Sequence, residues 1–167
     1  MTGTRQTTNA PLVGLGLGGL YEAHVQTTDL PSAMAFYGET LGLPLAYHLE
    51  ARNVAFYWLA ENKQAMLGVW GVQADSWHSS HFAFRIREDQ LPAALEGLRE
   101  AGITVNDFFG DPTDDPSVHA WMPAAGIFFR DPDGNSLELV AVLQGEGRRD
   151  VGVVPLSAWY ANYAPRT

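Results

Sequence analysis

The sequence predicts an α+β fold built from two βαβββ units, and three observations predict it. Ala33, Phe36, Tyr37 and Leu41 fall on one face of a helix that precedes three strand-like runs. The same order recurs in the second half, where Leu91, Ala94, Leu95 and Leu98 keep helical spacing. Arg130-Asp131-Pro132-Asp133-Gly134-Asn135 then reads as a tight turn between the last two strands, because Pro fixes φ and Gly accepts positive φ.

The elements follow in order. Residues 1–19 read as a flexible lead-in, with Gly14, Gly16, Gly18 and Gly19 suited to a linker. The first module, 20–72, opens with a strand over Leu20–Gln26. Thr28 and Asp29 are capping residues, Pro31 fits the first helical turn and Gly42 stops the helix. Strands follow over Leu43–Leu49, Asn53–Ala60 and Gln64–Gly71. The second module, 80–143, repeats this with a strand over Ser80–Ile86 and a helix over Glu88–Ala101 that ends at Gly102. Its later strands are placed at Ile103–Val105, Gly126–Arg130 and Ser136–Leu143. Asn106–Ala125 has no period and reads as a lid or pocket wall. Residues 144–167 form a C-terminal extension.

Composition narrows the function. The chain has 167 residues, 10 Lys plus Arg against 19 Asp plus Glu, and a net charge of −9. That balance excludes a nucleic-acid partner and an anionic membrane surface. A 46% hydrophobic and 17% charged chain can bury a real core. Cysteine is absent, which removes disulfides, thiolate metal sites and a Cys nucleophile. No apolar run reaches the roughly 20 residues of a membrane helix, so a cytoplasmic protein is the default. The glycines at 14–19 lack a following Lys-Ser/Thr, and no Gly-x-Ser-x-Gly elbow occurs.

Three residues are polar where strands should be apolar: His24, His81 and Glu138. Side chains alternate along a strand, so His81, Ala83 and Arg85 oppose Phe82, Phe84 and Ile86, while Glu138 opposes Leu137 and Leu139. Each candidate therefore points away from the helix-packed face, toward the hollow of a curved sheet. Two imidazoles and one carboxylate can hold a divalent metal and leave positions open for substrate. The plainer readings are satisfied strand histidines and an ion pair between Glu138 and Arg85 or Arg130. Tyr57 and Trp70 read as core or pocket wall. His119 and Trp121 lie in the long loop, where His119 is either exposed or within reach of a pocket. Arg85 is a candidate anchor for an anionic substrate.

Three segments carry a resemblance to a known family. They are Phe36-Tyr37-Gly38-Glu39-Thr40-Leu41-Gly42-Leu43, His81-Phe82-Ala83-Phe84 and Phe128 to Leu139 with its Asp-Pro-Asp-Gly turn. The chain resembles the vicinal oxygen chelate superfamily, which groups glyoxalases, bleomycin resistance proteins and dioxygenases, over Leu20–Leu143. The resemblance implies a glyoxalase-like fold with a cupped mixed sheet. It implies a divalent metal (Fe, Mn, Zn, Ni or Co) on His24, His81 and Glu138, a small oxygen-bearing substrate and a homodimer. Lyase, isomerase and dioxygenase chemistry are the implied reactions. Glyoxalase I adds a Glu ligand from the last strand of the first module, whereas that strand here, Ala65 to Trp70, holds no ligand type. The alternative is a non-catalytic protein that sequesters a small molecule in the same cavity. The tail Val151–Trp159 resembles an extension found in uncharacterised members.

Overall fold

A computed structural model describes residues 18–60 and 62–165, so the expected lead-in lies almost wholly outside the described residues. The first module runs β1 (Glu22–Thr27), α1 (Leu30–Met34), β2 (Leu45–Leu49), β3 (Val54–Trp58) and β4 (Met66–Gly71). Its strands form one sheet in the order β1-β4-β3-β2, with β1 parallel to β4. Asp29 caps α1 by accepting the Ser32 amide at 3.1 Å, and Pro31 sits in the first turn. The helix then widens into a π-helical stretch, Ala35–Thr40. Gly42, at φ +71°, ends it in the left-handed region that favours glycine.

The second module runs β5 (His81–Ile86), α2 (Leu91–Glu100), β6 (Ser117–His119), β7 (Ala124–Arg130) and β8 (Ser136–Val142). β9 (Val153–Pro155) and α3 (Leu156–Asn162) follow from the C-terminal extension. The sheet order is β5-β8-β7-β6-β9, with β5 parallel to β8. The fold class is therefore the expected one, with two mixed sheets of four and five strands. One core joins them, including Val25, Leu67 and Val69 of the first sheet and Ile127, Phe129 and Leu137 of the second.

Two expectations are corrected. Ile103–Val105 is not a strand: the Ile103 amide donates to Leu98 O at 2.9 Å as part of the helix end, and Asn106 makes an isolated bridge to Phe128. The missing strand, β6, lies inside the segment read as an unstructured wall. It pairs with β7 on one side and β9 on the other.

The turn between β7 and β8 does more than reverse the chain. Asp131 Oδ2 accepts the Tyr37 hydroxyl at 2.8 Å, and Asp131 also accepts the amide and side chain of Asn135. Asn135 is fully buried; it donates to Gln26 O and accepts the Ser80 amide, both at 2.9 Å. The turn thus ties β1, the α1 region and β5 together.

Candidate functional site

The sheet registers place the candidate ligands. In the second sheet His81 pairs with Ser136 and Ala83 with Glu138, so Glu138 lies diagonally across from His81. His81 Nε2 is 3.5 Å from Glu138 Oε2. The other ring nitrogen, Nδ1, faces Ser136 O at 3.1 Å and its hydroxyl at 3.2 Å. A carbonyl only accepts, so Nδ1 donates to it and Nε2 is the nitrogen left facing Glu138. Ser136 is a positioning residue that sequence reasoning did not single out.

Glu138 is 6% exposed, and its Oε1 is buried with no hydrogen-bond partner. Burial pushes its carboxyl above the usual carboxylate range, with His81 partly opposing that shift. A Cβ on Gly126 would collide with Glu138 Oε1, so glycine leaves the space in which the carboxylate sits. A carboxylate with one unpartnered oxygen, beside an imidazole nitrogen, is a donor set that fits a divalent cation.

His24 lies on the other sheet. Its register partner is Gly68, where a Cβ would stand 3.0 Å from the imidazole. His24 Nε2 meets Glu22 Oε1 at 3.0 Å, and its ring centroid is 5.6 Å from that of Trp70. The His24 and His81 side chains are 49% and 54% exposed. Among the described residues no group of three or more His, Asp or Glu lies close enough to hold one ion. The chain therefore does not gather His24, His81 and Glu138 into one ligand set.

The registers do not set His24 and His81 at equivalent places in the two sheets. Glu22 and His81 each begin their strand, paired with Met66 and Ser136, which begin β4 and β8. Strand by strand, Glu22 matches His81, His24 matches Ala83 and Gly68 matches Glu138. Phe56, paired with Gly68, likewise matches Phe128, paired with Glu138.

The wall residues divide. His119 packs against Phe108 and Phe128 at ring-centroid distances of 4.9 and 6.2 Å, and Phe128 stacks on His81 at 6.4 Å. Burial holds the His119 imidazole below its ordinary pKa. Trp70 packs beside His24, with the Arg52 guanidinium 4.9 Å above its ring. Of the two readings of Tyr57 the core one holds, which removes it as a substrate-binding candidate: it occupies the opposite face of β3, 1% exposed, with its hydroxyl toward Met34 O. Arg85 shares the strand face of His81 but lines a different hollow of about 400 Å³ with Leu41, Phe84, Ala94 and Phe129. Trp121 stands exposed in the turn after β6, and no ring pairing joins it to His119 or Phe128. Phe108 lies in the segment read as a pocket wall, whereas Phe128 was not expected there; its apolar type gave no signal apart from the core.

A family model for the Glyoxalase/Bleomycin resistance protein/Dioxygenase superfamily matches residues 19–139. The chain belongs to this superfamily. Solved structures agree with the superfamily fold. An integron cassette protein, HFX_CASS4, from the mobile metagenome of the Halifax Harbour sewage outfall is 27% identical at a TM-score of 0.66, covering 75% of this chain and 99% of its own. The oxidase ChaP-H2 is 21% identical at a TM-score of 0.59, covering 78% and 98%. A lactoylglutathione lyase from Agrobacterium tumefaciens is 18% identical at 0.59, covering 75% and 95%. The last two likenesses establish the superfamily fold alone. No helix among the described residues is long and apolar enough to cross a membrane.

Proposed function

We propose that this superfamily member is a metal-dependent enzyme acting on a small substrate that presents neighbouring oxygens. His81 and Glu138 of one protomer hold a divalent ion together with the His24 half-site of a second copy. The observation that carries this reading is Glu138 Oε1, a buried carboxylate oxygen with no hydrogen-bond partner, on a side chain whose Oε2 lies 3.5 Å from His81 Nε2. The exposure of both histidines supports completion of the site by a homodimer. A bound ion of this kind polarises substrate oxygens as a Lewis acid, which serves lyase, isomerase or dioxygenase chemistry.

The chain's own residues then orient the substrate. Phe108 and Phe128 exclude water along one side of the His81 half-site, and Trp70 and Phe56 do so beside His24. His119, whose imidazole burial holds below its ordinary pKa, offers a proton acceptor against that wall. The same rings favour a second reading, a protein that sequesters a small aromatic molecule without turnover.

Elemental mass spectrometry of protein purified anaerobically, without chelator or nickel resin, tests the proposal. The expected result is about one equivalent of Fe, Mn, Zn, Ni or Co per chain, lost in His81→Ala. Protein that holds no metal and takes up none of these ions overturns the enzyme reading in favour of sequestration.

A further inference from the structure

We propose that Arg52 is a specificity-determining residue, which takes the carboxylate of a small aromatic acid whose ring lies beside His24. The inference rests on the functional reading above and deepens it by naming the class of substrate. The Arg52 guanidinium stands 4.9 Å from the centroid of the Trp70 ring, and that ring is 5.6 Å from the His24 imidazole. One indole thus separates the cation from the imidazole, a span that a single-ring molecule covers. Arg52 is exposed, and among the described residues no carboxylate pairs with it. Arg87, Arg99 and Arg148, by contrast, are held by Asp89, Asp114 and Asp150. The Trp70 indole also keeps a buried Nε1–H with no hydrogen-bond partner. This end of the sheet therefore offers N–H donors without acceptors, and a carboxylate supplies acceptors.

The chain holds the cation in place. Glu50–Arg52 form one tight helical turn, closed by Asn53 at φ 52°. Asn53 O accepts the Gly71 amide at 2.8 Å. A Cβ on Gly71 would collide with the Asn53 side chain, so glycine leaves the space in which that side chain lies. The turn is thus pinned to the end of β4, one residue from Trp70. Stacking on an indole leaves the edge N–H groups of a guanidinium open to a bidentate carboxylate. The neighbouring rings suit an aromatic body. Phe56 meets His24 and Trp70 edge-on, with centroids 6.4 and 6.3 Å away. Tyr47 pairs with Phe56 across β2 and β3, on the same face, and is 61% exposed. Such a floor favours a planar ring. The net charge of −9 repels anions at long range, so an acid is selected only where a local cation overrides that field.

The competing account is packing alone, in which Arg52 covers Trp70 and touches no ligand. Calorimetric titration with 4-hydroxybenzoate and with its neutral amide, 4-hydroxybenzamide, separates the two. Arg52→Met keeps a stem over the indole, and Arg52→Lys keeps the charge. The expected result is wild-type protein that binds the acid about tenfold or more tighter than the amide. Arg52→Met should bring the two Kd values together by weakening the acid alone, and Arg52→Lys should keep part of the preference. No binding of either compound, or equal Kd values in wild type, overturns the proposal. So does a preference that survives in Arg52→Met, including one that survives because both compounds weaken equally. Metal content of the same samples judges the reading on which the inference rests. Protein that takes up no metal yet keeps an Arg52-dependent preference for the acid loses the enzyme reading and sustains this one; metal-loaded protein without that preference does the reverse.

Discussion

The Thr27 hydroxyl donates to Asp133 Oδ2 at 2.5 Å, although 106 positions separate the two residues. Asp133 Oδ1 accepts the Thr28 amide at 2.8 Å and its hydroxyl at 2.7 Å. One carboxylate in the second module therefore fixes the end of the first strand of the first. Burial works against its charge, but the two hydroxyls and the amide outweigh that and hold the Asp133 carboxyl below its ordinary 3.8.

The sign of the resulting pH dependence follows. A carboxyl depressed in the folded state stabilises fully above its unfolded value and loses that contribution as pH falls through its folded value. Asp133→Asn is expected to cost about 1–2 kcal/mol at pH 7. The gap from wild type should narrow below the ordinary value of 3.8. Urea unfolding at several pH values measures this; a gap constant down to acid would remove the charged clasp.

Gly126→Ala puts a methyl group where Glu138 Oε1 lies. The expected cost in stability is about 1–3 kcal/mol, as for other overpacked sites. Metal affinity should fall at least tenfold, because the carboxylate must leave its place beside His81. Metal titration and denaturant unfolding on the same sample separate the two effects. Retained affinity would argue that Glu138 does not ligate.

Trp159 is fully buried although it lies in the C-terminal extension. Trp159→Ala should cost about 3–5 kcal/mol, the range for removing a large aromatic side chain from a core. A loss under about 1 kcal/mol in denaturant unfolding would show that the extension packs independently of the modules.

Tyr160 donates to Glu88 at 2.7 Å, and burial together with that bond pushes its phenol up to about 12. A raised phenol favours the folded state while neutral, so its contribution is complete below the ordinary 10 and disappears as pH rises toward 12. Tyr160→Phe should flatten the alkaline limb of the stability profile and leave the acid limb unchanged. An unaltered alkaline limb would show that the phenol ionises as freely in the folded chain as in the unfolded one.

Much of the architecture was legible because the signals were local. Helical spacing gave both helices, and Pro132 with Gly134 gave the closing hairpin. β6 was not legible: three residues, Ser117-Val118-His119, carry too little alternation, and their partner β9 is distant in sequence. The strand expected at Ile103–Val105 failed because Ile103 and Val105 serve the helix end and the core. His81 and Glu138 stood out as polar residues in apolar strands. The structural duties of Asp131, Asp133 and Asn135 were hidden, because their partners lie in the other module.

β9 closes the outer edge of β6, and Trp159 anchors the segment that supplies it. An open strand edge bears unpaired amides and carbonyls that can template pairing with another molecule. A chain cut before Val153 would expose that edge beside Phe108 and Phe109, both already exposed. The tail thus covers the β6 edge, and the three-residue β9 forms the rim of the sheet in its place.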